Sequence, residues 1–330
     1  AGDTVAIELK SDEFDARLGV FQPEGGLLQQ DDDTGDRTNA LIIFELPEDG
    51  VYFAITTSLR VGSQGRYQLD LRDVTQADRQ RVAAVQLTGR GAQSYRSAQL
   101  QEAQDLYRQA LELYQALGDR EGEALILGNL GLIYGDLGQF AEALEYAQAA
   151  LEINRELGHR SRESTVLSNL GVIYGRQGQY EKALASYDAA LALVRDLGDR
   201  RTEGSVLNNI ATTYDRQERH AEALEKYQES LVILREVGNR AAEGGTLNNM
   251  GAVYMKQGKS AQAIEHYEAG LAISQELGDL AGEATALNNL GALYGGQADN
   301  SKALEYYQAS LVLLREIGIR TRISTTLANI

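Results

Sequence analysis

The chain has 330 residues, 43% of them hydrophobic and 24% charged, as in a folded protein with one or more buried cores. A formal charge of −17 repels phosphate backbones and anionic lipid, so nucleic acid is not an expected partner; no apolar run approaches the roughly 18 residues of a membrane span, so membrane insertion is not expected either. The lack of cysteine excludes disulfides, thiolate metal ligands and cysteine nucleophiles, and only two prolines leave room for long helices.

Residues 1–72 hold short runs rich in Val, Ile, Phe and Tyr: TVAIELK, ARLGVFQP, ALIIFELP, GVYFAITTSL and RYQLDLRDV. Turn-rich segments separate them: SDEFD, EGG, DDDTGD, PEDG and GSQG. This alternation predicts a small N-terminal antiparallel β-sandwich. The acidic turn offers Asp31, Asp33 and Asp36 as a candidate calcium site. Ile42 stands twelfth from Asp31, where an EF-hand needs a bidentate Glu, so the turn is not an EF-hand. A solvated β-turn is the competing reading, and no other metal or cofactor is expected.

The order of these segments resembles the bacterial pre-peptidase C-terminal (PPC) domain. Gly2-Asp3-Thr4-Val5, Ser11, Phe14-Asp15, Pro23, Asp31-Asp32-Asp33, Leu46-Pro47-Glu48-Asp49-Gly50, Tyr52, Gly65 and Tyr67 carry the resemblance. It implies further strands before the first residue, and hence a chain that is a piece of a longer polypeptide. It also implies a place in the envelope or outside a bacterium. In cyanobacterial proteins such a domain and a repeat array can precede a caspase-like CHAT protease.

Residues 73–83 read as a short helical link. From residue 84 the chain repeats with a period of 40: LGNLGLIYG starts at Leu127, LSNLGVIYG at Leu167, LNNIATTYD at Leu207, LNNMGAVYM at Leu247 and LNNLGALYG at Leu287. Units are expected near 84–123, 124–163, 164–203, 204–243, 244–283 and 284–326, with a seventh beginning at 327–330. Each reads as two helices with apolar residues at three- and four-residue spacing. Asp119, Asp199, Asn239 and Asp279 follow Gly118, Gly198, Gly238 and Gly278, a helix stop and then an N-cap. Gly131, Gly171, Gly251 and Gly291 are expected to press against Ala143, Ala183, Ala263 and Ala303, with the second-helix tyrosines between units.

The Leu-Gly pair, the Tyr three residues later, the second-helix Ala and the Tyr four after it resemble the tetratricopeptide repeat. The 40-residue length and the LGDRxxE linker are similar to the long variety in Pins-type scaffolds and kinesin light chains. The resemblance implies a mainly α protein, a right-handed α-solenoid of about six helical hairpins whose first helices line the concave face.

The three histidines share no repeat position, and no GxSxG, HExxH or phosphate loop occurs, so catalysis is not expected. The asparagines do share positions. Asn169, Asn209, Asn249 and Asn289 belong to one column; Asn208, Asn248 and Asn288 form a second. Asn offers both a donor and an acceptor, so a ladder of them can pair with the backbone of a bound peptide. The alternative is that the first column ties neighbouring repeats. Arg176, Arg216 and Lys256 on the same helices form a basic strip suited to an acidic segment. The expected function is a non-catalytic scaffold for a protein or peptide. Head-to-tail self-association into a filament, and a regulatory arm of a longer protease, are the other two readings.

Overall fold

The computed structural model describes residues 4–10, 16–21, 27–31, 40–45, 53–58, 68–318 and 320–329. Six strands come first: β1 (Thr4–Lys10), β2 (Ala16–Phe21), β3 (Leu27–Asp31), β4 (Ala40–Glu45), β5 (Phe53–Ser58) and β6 (Gln68–Asp73). They form two three-stranded antiparallel sheets, ordered β4-β1-β6 and β3-β2-β5. In β1, Ile7 lies opposite Ile42 on one side and Leu71 on the other. Residues two apart share a face of a strand. Ile7 and Leu9 of β1 therefore join Leu18 and Val20 of β2 and Ile42 of β4 in one buried cluster drawn from both sheets. The turn segments SDEFD, EGG, PEDG and GSQG lie outside the described residues, as do Asp33 and Asp36 of the calcium candidate. Asp31 ends β3.

Helix α1 (Gln76–Arg96) takes in most of the segment read as a link. Its start is set by a capping box: Thr75 Oγ1 accepts from the Asp78 backbone N–H at 3.2 Å, and Asp78 Oδ2 accepts from that of Thr75 at 2.8 Å. Then follow α2 (Leu100–Leu117), α3 (Arg120–Asp136), α4 (Phe140–Glu156), α5 (Arg160–Arg176), α6 (Tyr180–Asp196), α7 (Arg200–Arg216), α8 (His220–Glu236), α9 (Arg240–Lys256), α10 (Ser260–Leu277), α11 (Leu280–Gly296), α12 (Asn300–Glu316) and α13 (Arg320–Asn329). From α1 to α12 each odd-numbered helix packs on the even-numbered one that follows it, making repeated hairpins. The chain forms two compact units, Ala1–Leu157 and Gly158–Ile330. The first holds the strands and α1–α4, the second α5–α13.

The linker motif has a physical job in each of its letters. Gly118, Gly198, Gly238 and Gly278 take φ of 66–68°, the left-handed geometry that ends a helix. The Asp119, Asp199 and Asp279 side chains accept from backbone N–H groups three residues on, at 2.9–3.0 Å. Arg200 then donates to Glu203 at 2.6 Å and to Glu236 at 2.6 Å, and Arg195 of the preceding helix reaches the same Glu203 at 2.8 Å. Glu243 is held alike by Arg235 and Arg240, and Arg240 reaches on to Glu276. Each tie therefore runs from one hairpin through a buried carboxylate into the next. Burial alone would raise the Glu203 and Glu243 carboxyls. Hydrogen bonds from their two arginines override it and hold both below the usual carboxylate value.

Helix packing departs from expectation in one respect. A Cβ on Gly171, Gly251 or Gly291 would stand 2.5–2.8 Å from the rings of Tyr187, Tyr267 and Tyr307. These glycines make hollows for the second-helix tyrosine of their own hairpin, rather than for the alanines, while the second-helix rings also reach the next unit as expected: Tyr227 packs with Leu247, Met250 and Val253, and Tyr267 with Leu290 and Leu293. A ring this large leaves room for little opposite it; in the α7–α8 hairpin the methyl of Ala211 takes that place and Tyr227 is still buried. Where the chain has Ala147 instead of Tyr, Gly131 faces the second-helix backbone directly: a Cβ there would stand 3.2 Å from the Ala143 carbonyl oxygen.

Candidate functional site

In the second unit α5 touches α7, α7 touches α9 and α9 touches α11, so the first helices form one continuous face. Helical spacing puts the two asparagine columns and the basic residues along it. Asn169, Asn209, Asn249 and Asn289 are all half-buried there, while Arg176, Arg216 and Lys256 are exposed.

The second column is engaged within the array. Asn208 Oδ1 accepts from Thr246 Oγ1 at 3.2 Å and from Asn249 Nδ2 at 3.4 Å, both on the next first helix. Asn288 Oδ1 likewise accepts from Thr326 Oγ1 at 3.2 Å. Asn248 is buried, packed against Gly270, with no hydrogen-bond partner for its Oδ1. Neighbouring repeats are thus tied by Asn208 and Asn288 of the second column, and by Asn249 of the first, the column for which repeat-tying was the alternative reading. A signal for it was present. Thr246 and Thr326 each come 38 residues after their Asn, whereas Ala286 stands 38 residues after Asn248.

The basic strip is partly spent as well. Lys256 Nζ lies 2.6 Å from Asp215 Oδ2, an ion pair between α9 and α7. His220 Nδ1 stands 3.3 Å from the other oxygen of the same carboxylate. Arg216 donates from Nη1 to the Gly175 carbonyl oxygen at 3.2 Å, linking α7 to α5.

Beside that link lies a pocket of about 150 Å³, lined by Val172, Gly175, Arg176, Tyr187, Asn209, Thr212, Thr213 and Arg216. It brings together two cations, one of the predicted asparagines and three hydroxyl residues. Thr212 Oγ1 is bonded to Tyr227 Oη at 2.9 Å. Burial drives the Tyr187 phenol far above its ordinary value, against the opposing pull of Arg216, Arg176 and Thr213. At neutral pH the phenol is therefore an uncharged donor. Sequence reading found Arg176, Arg216 and Asn209 but missed Tyr187 and Thr213, which a repeat pattern assigns to packing.

Among the described residues, no group of three or more His, Cys, Asp and Glu side chains is placed to hold a metal ion. No helix among them is long and apolar enough to cross a membrane. The histidines stand apart: His159 immediately precedes α5, His220 opens α8 beside Asp215, and the His266 ring lies tilted at 49° to that of Tyr254, with centroids 5.0 Å apart.

A tetratricopeptide-repeat family model matches residues 81–156, 162–236 and 243–316, about two thirds of the chain. The chain belongs to the tetratricopeptide-repeat family. Comparison with curated proteins finds no match. Solved tetratricopeptide-type arrays share its fold at low identity. Aspartyl phosphate phosphatase F from Bacillus subtilis is 17% identical, with a TM-score of 0.62 over 77% of this chain and 70% of that one. A Rap protein complexed with Competence and Sporulation Factor is 17% identical, with a TM-score of 0.57 over 74% and 78%. BtubC (BKLC) from P. vanneervenii is 21% identical, with a TM-score of 0.51 over 74% and 93%. These likenesses establish the fold of the tetratricopeptide array, and nothing finer.

Proposed function

We propose that this tetratricopeptide protein is a non-catalytic scaffold whose first-helix face holds a segment of a partner protein and seats an acidic group between Arg176 and Arg216. One observation carries the reading: the pocket between α5, α6 and α7 gathers both guanidinium side chains, Asn209 and the uncharged Tyr187 phenol in about 150 Å³. A carboxylate accepts hydrogen bonds and nothing else, and every one of these groups can donate. Asn169, Asn249 and Asn289, half-buried along the same face, would pair with the backbone of the bound segment. The Rap neighbour, solved with Competence and Sporulation Factor, shows that an array of this fold can hold a second molecule. We further read the two sheets and their shared cluster as a β-sandwich of the PPC type that precedes the array.

The test is a display library of short peptides panned on the full chain, followed by titration of the best binder. Acid-rich sequences should be selected. Arg176→Ala should weaken them at least about tenfold, from the loss of one charge-assisted hydrogen bond. Raising salt should weaken them further. Circular dichroism of the variant should be unchanged, since Arg176 is exposed at the helix end. Selection of neutral or basic peptides, or an affinity indifferent to Arg176, would sink the proposal.

A further inference from the structure

Successive hairpins of the second unit are joined by polar ties, and the ties differ from joint to joint. Between α7–α8 and α9–α10 there are three, besides the longer bond from Asn249 to Asn208 at 3.4 Å. Asn208 accepts from Thr246, Arg235 pairs with Glu243 at 2.8 Å, and Lys256 pairs with Asp215 at 2.6 Å. Between α5–α6 and α7–α8 there are two, Arg195 with Glu203 at 2.8 Å and Arg216 with the Gly175 carbonyl at 3.2 Å.

Between α9–α10 and α11–α12 the chain has changed the residue at each of these positions. Ala286 stands where Thr246 does, so Asn248 has no hydroxyl to meet, and its buried Oδ1 lacks a hydrogen-bond partner. Gln275 stands where Arg235 does, so Glu283 receives a neutral amide at 3.0 Å instead of a guanidinium. Gly296 stands where Arg216 and Lys256 do, and offers no side chain. Within the following hairpin, Leu280 replaces the arginine that elsewhere joins the two helices. Apart from the Gln275–Glu283 bond, what joins α9–α10 to α11–α12 is apolar: Ala263, Tyr267, Leu290 and Leu293 form one buried cluster. Beyond it, the Asn288–Thr326 bond ties α11 to α13.

In a repeat array, stability is set locally by each interface between neighbours. We infer that the joint at Gly278-Asp279 is a weak boundary, beyond which α11–α13 detaches and unfolds as one cooperative unit from a platform of α5–α10 that stays folded. The inference is independent of what the first-helix face binds. It divides that face, however: the Arg176–Arg216 pocket, Asn209 and Asn249 lie on the platform, and Asn289 lies on the detaching part.

Native-state hydrogen exchange of the full chain, read by mass spectrometry, tests this. Amides of α11 and α12 should exchange together through an opening that leaves α7–α10 protected. The double variant Ala286→Thr with Gln275→Arg rebuilds two ties, and should slow exchange in α11 and α12 at least about tenfold while leaving α7 and α8 unchanged. The converse variant, Thr246→Ala with Arg235→Gln, copies the weak joint one repeat earlier. It should move the boundary of the opening from α10/α11 to α8/α9. Uniform exchange of α7–α12 in the parent chain would overturn the inference. So would a rebuilt joint that exchanges as fast as the original, or a boundary that stays in place in the converse variant.

Discussion

Replacing Glu243 with Gln probes the linker that sets the repeat length. Glu243 is only 3% exposed and takes one hydrogen bond from Arg235 at 2.8 Å and one from Arg240 at 2.5 Å. Gln keeps the shape, loses the charge and can still accept from one arginine. Both arginines are about half exposed, so water rescues them and no buried charge is stranded. The loss is then close to one or two charge-assisted bonds, about 1.5–3 kcal/mol. The pH dependence fixes the sign. The folded Glu243 carboxyl sits below its ordinary 4.5, so its ionised pairs contribute fully above about pH 4.5. That contribution is lost as pH falls through the lower, folded value. Exchange protection of α9 amides, measured at pH 7 and again near pH 3, gives both numbers. The parent chain should lead the variant by the full amount at pH 7, and the lead should shrink in acid. A lead below about 0.5 kcal/mol at pH 7, the range of an ordinary surface change, would refute the reasoning. So would a lead that acid does not touch.

The two buried tyrosines of adjacent hairpins should answer differently to loss of the hydroxyl. Tyr227 Oη is bonded to Thr212, so Tyr227→Phe should cost about 1 kcal/mol; Tyr267 Oη has no partner, so Tyr267→Phe should be neutral or stabilising in urea denaturation. Burial pushes both phenols up to about 12, so the stability they give is intact below pH 10 and is lost as pH rises towards 12. Ultraviolet titration should show the two ionising with alkaline unfolding, and Tyr267→Phe should delay it. At the turn between α7 and α8, Glu218 holds φ at 61° where the sister turns place Gly138, Gly178 and Gly258 or the alanines Ala98 and Ala298, so Glu218→Gly should stabilise by about 0.5–1 kcal/mol in the same assay.

The asparagines show where sequence reading stops. Helix positions, caps and the hairpin order follow from local rules, because a 3.6-residue period, a left-handed Gly and an Asp cap are properties of a few neighbouring residues. Five of the six strands between Thr4 and Asp73 were legible for the same reason, in runs of β-branched and aromatic residues between turn segments; β3, LLQQD, carries no such run and was not read as a strand. The repeat itself was legible because 40-residue self-similarity needs no coordinates. The columns of Asn, Arg and Lys on one face were legible too, since a repeat places equal positions on equal faces.

What each column does was not. Asn208 and Asn248 occupy equivalent positions, yet one meets a threonine hydroxyl across the joint and the other turns against Gly270. Lys256 belongs to the basic strip by position but is answered by Asp215, 41 residues earlier. Tyr187 has the position of a packing residue and also lines the pocket with Arg176 and Arg216. The sequence by itself determined the repeat, its caps and the residues on each face, because these depend on spacing along the chain. Tertiary structure alone decided which of those side chains were consumed in joining hairpins and which were left facing outward. That depends on what stands opposite at a distance of one whole repeat, where a single change from Thr to Ala, or from Arg to Gln, removes the partner.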